Sequence, residues 1–136
     1  MTMTSLSEMK DMPYHVTEAS FQNECFVVAK LHGWTIAHFG ASQNPSGNWL
    51  TPVRFNAKGF PDLVLAHPRL GVMFRELKTG ANDLSKDQRA WIDLLYKAGA
   101  NAAVWRPEDW PRIVSELKGT APCPSSSPSS PWPDHL

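Results

Sequence analysis

Apolar and polar positions along the chain switch between two periods, and the switches mark out the elements. In "TEASFQNECFVVAKLHG" the apolar residues Phe21, Cys25, Val28 and Ala29 fall on one face at 100° per residue, which predicts a helix. Thr17 is placed to cap its start and Gly33 to end it. Glu18 falls in the middle of that apolar face, whereas Glu24 lies well to its side. The segments "WTIAHF" (34–39), "DLVLAH" (62–67), "GVMFRELK" (71–78) and "NAAVW" (101–105) read as strands. "PRLG" forms the turn between the second and third. "SKDQRAWIDLLYKAG" is a second helix, with Ser85 and Gln88 at capping-box spacing and Gly99 past its end. "DWPRIVSELKG" is a last helix, capped by Asp109, with Pro111 in its first turn. The stretch "GASQNPSGNWLTPVRFNAKG" shows little periodicity and reads as a long loop.

The resulting order is α-β-β-β-α-β-α. A hairpin flanked by helices that must cover a sheet predicts an α/β sandwich on a mixed central sheet. Residues 1–15 are polar and unpatterned and are expected to form a flexible arm. Residues 119–136, "GTAPCPSSSPSSPWPDHL", are dominated by Pro, Ser and Gly and bury too little to offset their ordering entropy. A disordered tail is expected there, with the folded domain at 16–118. The 136-residue length suits one such domain.

Composition narrows the functional classes. Thirteen basic side chains balance thirteen acidic ones, so global charge gives no support for a nucleic-acid partner, and any basic surface must be local. No apolar run approaches the roughly 20 residues of a membrane span, and "MTMTSLSEMK" has no apolar core of a secretory signal. Cys25 and Cys123 form neither a disulfide framework nor a zinc site, which points to a reducing, cytoplasmic setting.

The candidate chemistry lies in "FPDLVLAHPRLGVMFRELKTG". Side chains alternate across a strand, so Val72, Phe74, Glu76 and Lys78 share one face, read as inward, and Met73, Arg75 and Leu77 the other. Asp62 lies six residues before Pro68, and Glu76 and Lys78 lie five and seven after Gly71. The hairpin therefore brings all three to one end of the sheet. Two carboxylates beside an ammonium suit a hard divalent cation, Mg²⁺ above all, which shares phosphate oxygens with a substrate. Such a cation acidifies water and offsets transition-state charge, while the lysine orients the water or stabilises the same charge. Taken alone, Asp62 is a turn-former and Glu76–Lys78 a same-face ion pair of small value. Their convergence favours a site.

Other residues carry two readings each. Glu18 either supports the metal or complements a helix start. Gln88 shares a helix face with Trp91, Ile92 and Leu95, so it either points at the site or only completes the capping box. Lys58 and Arg54, with Asn44, Asn48 and Trp49 in the long loop, and His38 at a strand end, are candidate DNA contacts; otherwise they are solvated. Arg75 is structural or at a subunit contact. Trp91, Trp105 and Trp110 are expected in the core. His32 and His67 are expected at the surface or at strand ends.

The string Pro61-Asp62 followed by Glu76-Leu77-Lys78 matches the PD-(D/E)XK nuclease signature. The ordered set "TEASFQ", "GW", "KGFPDLVL", "ELK", "LSKDQRAW", "AGA" and "VWRPEDW", covering about residues 17–117, resembles small stand-alone VRR-NUC domain proteins of phage and bacteria. The resemblance implies a restriction-endonuclease-like αβββαβ core and cleavage of DNA dependent on Mg²⁺ or Mn²⁺. It implies that Asp62, Glu76 and the Leu77 carbonyl bind metal and that Lys78 serves the water. It further implies that Glu18 supports the metal and that Gln88 supports Lys78 or the water. The stand-alone members resemble Holliday-junction resolvases, which act as homodimers on branched DNA. The alternatives are a flap or nicking nuclease acting as a monomer, a DNA-structure-binding module that does not cleave, and a plain structural protein.

Overall fold

The computed structural model describes residues 16–40, 42–43, 45–47, 49–50 and 56–120. The expected N-terminal arm and the tail from residue 121 onward lie outside these residues. Helix α1 (Glu18–Leu31) starts at Thr17, whose side chain accepts from the Ser20 N–H. It buries Phe21, Cys25 and Ala29, close to the face its period predicts. Strand β1 (Thr35–His38) follows directly. Within the stretch expected as a long loop, Ser42–Gln43 (β2) and Trp49–Leu50 (β3) pair as a two-stranded ribbon, and residues 41, 44, 48 and 51–55 of that stretch lie outside the described residues. Two-residue strands are too short to leave a period in the sequence. Strands β4 (Leu63–His67) and β5 (Gly71–Leu77) make the expected hairpin. Helix α2 (Lys86–Lys97) leads to β6 (Asn101–Trp105), and a short 3₁₀ turn (Pro107–Asp109) leads into helix α3 (Trp110–Lys118).

The main sheet is mixed, with order β1-β4-β5-β6. The β1–β4 and β4–β5 pairs are antiparallel and β5–β6 is parallel, the crossover to β6 running through α2. Asp109 does not cap α3: its side chain accepts from the Arg106 N–H at 3.0 Å and closes the 3₁₀ turn before it. Gly119 and Thr120 still belong to the end of α3, donating their N–H groups to Glu116 and Ser115.

The larger core lies on the face of β5 that carries Met73, Arg75 and Leu77. There Phe21, Cys25, Trp34, Leu63, Leu65, Trp105, Ile113 and Leu117 pack together. The face of Val72, Phe74 and Glu76, read as inward, is instead the thinner side: Val72 is exposed, Phe74 is half-buried and Glu76 is fully buried. Both faces carry apolar residues, so alternation alone could not say which would hold the larger core. Burial pushes the Cys25 thiol up to about 12, which keeps it protonated and unreactive. His67 is the last residue of β4, as the strand-end reading had it, but it is buried rather than at the surface. Its Nδ1 accepts the N–H groups of Arg69 and Leu70 and so closes the hairpin turn, while its Nε2 lies 3.1 Å from the His32 carbonyl oxygen.

Arg75 is the exception within this core, with 1% exposure. Its guanidinium donates to the carbonyls of Phe74 and Asn101 at 2.8 and 2.9 Å and to Asn101 Oδ1 at 2.9 Å. It lies 5.2 Å from the Trp105 ring centroid and 3.5 Å from Glu116 Oε2, which also accepts the Trp105 indole N–H at 2.7 Å. Burial pulls the Arg75 pKa down, and Glu116 opposes that pull. The residue is therefore structural, as one of its two readings had it. Glu116→Ala leaves a buried guanidinium without its counter-charge and is expected to cost roughly 3–5 kcal/mol in urea unfolding. A loss below about 1 kcal/mol would show that Arg75 needs no anionic partner.

Candidate active site

Antiparallel pairing ends at Leu63–Arg75, which puts Asp62 opposite Glu76 one step further along the hairpin. Side chains take over from the backbone ladder there. The Asp62 N–H donates to Glu76 Oε2 at 3.1 Å, and the Leu77 N–H donates to Asp62 Oδ2 at 3.0 Å. Each carboxylate thus clasps the other strand's backbone. The parallel neighbour steadies the same end, because the Lys78 N–H donates to the Trp105 carbonyl at 3.1 Å. Pro61 is buried and holds the approach to Asp62.

Gln88 resolves its two readings by fulfilling both. Its Oε1 accepts the Ser85 N–H at 2.8 Å, while Ser85 Oγ accepts the Gln88 N–H at 3.1 Å, a complete capping box. With Oε1 committed to the cap, Nε2 is the group left to face Glu76, and it donates to Oε1 of that carboxylate at 2.9 Å.

Electrostatics mark Glu76 as unusual. Burial first, then the Asp62 carboxylate beside it, push its pKa up to about 8, and Lys78 opposes the rise. Two carboxylates with too little positive charge between them are hard oxygen donors suited to Mg²⁺ or Mn²⁺. Among the described residues no group of three or more His, Cys, Asp or Glu side chains converges on one point. Glu18 stands exposed in the first turn of α1 and does not form such a group with Asp62 and Glu76.

Lys58 is exposed and pairs with Asp87 at 3.5 Å, at the start of α2. His38 sits at the site end of β1, but its ring meets α1, 2.7 Å from Gln22 Nε2 and edge-on to Phe26. It therefore lies on the opposite sheet face from the carboxylates. Arg54, Asn44 and Asn48 lie outside the described residues, and only the backbone of Trp49 is described.

Two features escaped the sequence reading. Gly59 has φ +84°, and a Cβ there would come within 2.5 Å of the Asp87 carbonyl carbon and 2.7 Å of the Gln88 N. The loop carrying Pro61-Asp62 is thereby docked on the first turn of α2, the turn that holds Gln88. The available signal was a glycine two residues before the proline. The second feature is an aromatic cluster. Phe60 meets Phe39, Phe74 and Trp91 edge-to-face at centroid distances of 5.7, 6.1 and 5.1 Å. Trp91, expected in the core, is half-buried beside the site, and its indole N–H donates to the Asn56 carbonyl at 3.0 Å.

The mixed sheet flanked by helices is consistent with a restriction-endonuclease-like fold, the fold of the PD-(D/E)XK nuclease superfamily. Within that class, residues 43–109 match the model of the VRR-NUC domain family. The match spans Asp62, Glu76, Lys78 and Gln88 and begins beyond the helix of Glu18. No curated protein and no solved structure matches the chain. No helix among the described residues is long and apolar enough to cross a membrane.

Gly59→Ala combines left-handed backbone strain with a clash against helix backbone and is expected to cost more than about 1 kcal/mol in urea unfolding. Unchanged stability would show that the loop is not seated on α2. In metal-free protein, the folded state holds a proton on Glu76 that the unfolded chain has released above the usual carboxylate range, near 4.3. Folded protein thus binds more protons between about pH 4.5 and about 8, and this group's contribution to stability falls as pH rises through that window. Thermal midpoints in EDTA at pH 5 and 8 are expected to show a larger drop for wild type than for Glu76→Gln. Equal drops would contradict the shift.

Proposed function

We propose that this chain is a divalent-metal-dependent endonuclease that hydrolyses phosphodiester bonds in DNA, acting on branched structures as a homodimer. The observation that carries the reading is the Asp62–Glu76 pair: two clasped carboxylates, one of them buried and short of positive charge. Asp62, Glu76 and the Leu77 carbonyl would hold Mg²⁺ or Mn²⁺. When bound, the cation would supply an acidified water and charge neutralisation at the phosphate.

The chain's own groups divide the remaining work. Lys78, half-buried on the same strand face as Glu76, orients the attacking water and stabilises negative charge developing on the phosphate. Gln88 Nε2 donates to Glu76 Oε1 and holds that carboxylate in place, so that Glu76 Oε2 accepts the Asp62 N–H. Glu18 takes an outer supporting role from the first turn of α1. Lys58 and Arg54 contact the DNA backbone from the segment before Asp62, whereas His38, turned to α1 on the other sheet face, is left out of this contact. Resemblance to junction resolvases supports the branched substrate, and two coordinated cuts fit a two-fold dimer. A reducing, cytoplasmic setting accords with Cys25 as a free buried thiol.

Cleavage of a labelled four-way junction, 5′ flap, splayed arm, duplex and single strand in Mg²⁺ and Mn²⁺ tests this reading. Paired symmetric nicks on the junction are expected from wild type. Lys78→Ala is expected to lower the rate roughly 10²–10³-fold with metal binding kept, and Asp62→Ala to lose metal binding as well. Cutting confined to the flap would replace the resolvase with a monomeric flap nuclease. Tight junction binding with no cutting by wild type would leave a non-cleaving DNA-binding module.

A further inference from the structure

The rim of the site carries an apolar group that phosphodiester hydrolysis does not call for. Phe39 follows the last residue of β1, and its backbone N–H donates to the carbonyl oxygen of Asp62 at 2.7 Å. Its position is therefore tied to the residue at the centre of the site. His38 faces α1, so alternation puts Phe39 on the other side of the sheet, with Phe60, Phe74 and the two carboxylates. The residue remains 51% exposed.

A single exposed aromatic is unremarkable in itself. What sets this one apart is its backing. Phe60 meets it at 83°, and Phe60 is in turn wedged edge-to-face against Phe74 and Trp91. Phe39 thus rests on a ring that is itself fixed from two further sides, and its backbone is bonded to Asp62. The charge balance points the same way. With thirteen cations against thirteen anions, and Lys58 already paired with Asp87, phosphate contacts alone give the chain a weak grip on nucleic acid. Stacking of a base on an aromatic ring supplies affinity without net charge.

We infer that Phe39 is a stacking platform for an unpaired base next to the phosphate being cut, so that the site favours DNA whose pairing is interrupted at the cleavage point. In an intact duplex each base is stacked on both sides and offers no free ring face. At a flap the unpaired base at the branch does. This specificity role rests on the nuclease reading above, but its binding arm stands apart from turnover.

The test uses the full chain and a 5′-flap DNA carrying 2-aminopurine as the unpaired base at the branch, beside a fully paired duplex with the same label. Binding is followed by 2-aminopurine fluorescence in Ca²⁺, and cleavage of the same DNAs in Mg²⁺ and Mn²⁺. Wild type is expected to quench the flap label and to prefer the flap. Phe39→Leu is expected to abolish the quench and weaken flap binding about tenfold more than duplex binding, and Phe39→Trp to restore both. Equal losses on flap and duplex, or a quench that survives Phe39→Leu, would overturn the platform even if DNA is still cut. A Phe39-dependent quench with no cleavage by wild type would uphold the platform and overturn the nuclease reading.

Discussion

Everything at the working end of this molecule hangs on two carboxylates that each grip the other strand's backbone. Asp62 and Glu76 stand where the β4–β5 ladder has run out, and their side chains replace the missing backbone bonds. The arrangement is costly in isolation. It buries Glu76 almost completely and sets a like charge beside it. The surrounding structure therefore has to hold the pair in register against that repulsion. The Gly59 joint, the parallel bond from Lys78 to Trp105 and the Gln88 amide all do so.

The sheet behind the pair is covered unequally. One face carries the extended core under α1 and α3, with a buried arginine at its centre; the other carries the carboxylates, the aromatic rings and α2. Arg75 and Glu76 are adjacent in the chain and point to opposite faces, so one strand delivers a buried cation to the scaffold and a buried anion to the site. Each is held separately, Arg75 by Asn101 and Glu116 with its buried Nε left without a partner, and Glu76 by Gln88 and the Asp62 backbone.

Much of this was legible in the chain. The strand boundaries of β4, β5 and β6, the capping box at Ser85–Gln88 and the convergence of Asp62 with Glu76 follow from period and turn spacing. The partition of the core was not, because Phe74 and Met73 are equally apolar and only the placement of α1 and α3 decides which of them is covered. Nor was the fate of Asp109, since a residue before a proline-containing helix start fits either a cap or the preceding turn, and the Arg106 N–H settled it locally. Gly59 and Phe39 act through contacts with segments roughly twenty to thirty residues away, and local pattern carries no information on such contacts.

The doubled use of the Gln88 side chain has a consequence for how the protein tolerates change. One amide starts a helix with its oxygen and steadies a buried carboxylate with its nitrogen. Positions 85, 88 and 76 therefore cannot drift independently, and a replacement that suits the helix start but not the carboxylate gains nothing. Any sequence change that loosens the first turn of α2 also loosens Glu76, so the integrity of one helical turn and the competence of the site are a single inherited trait.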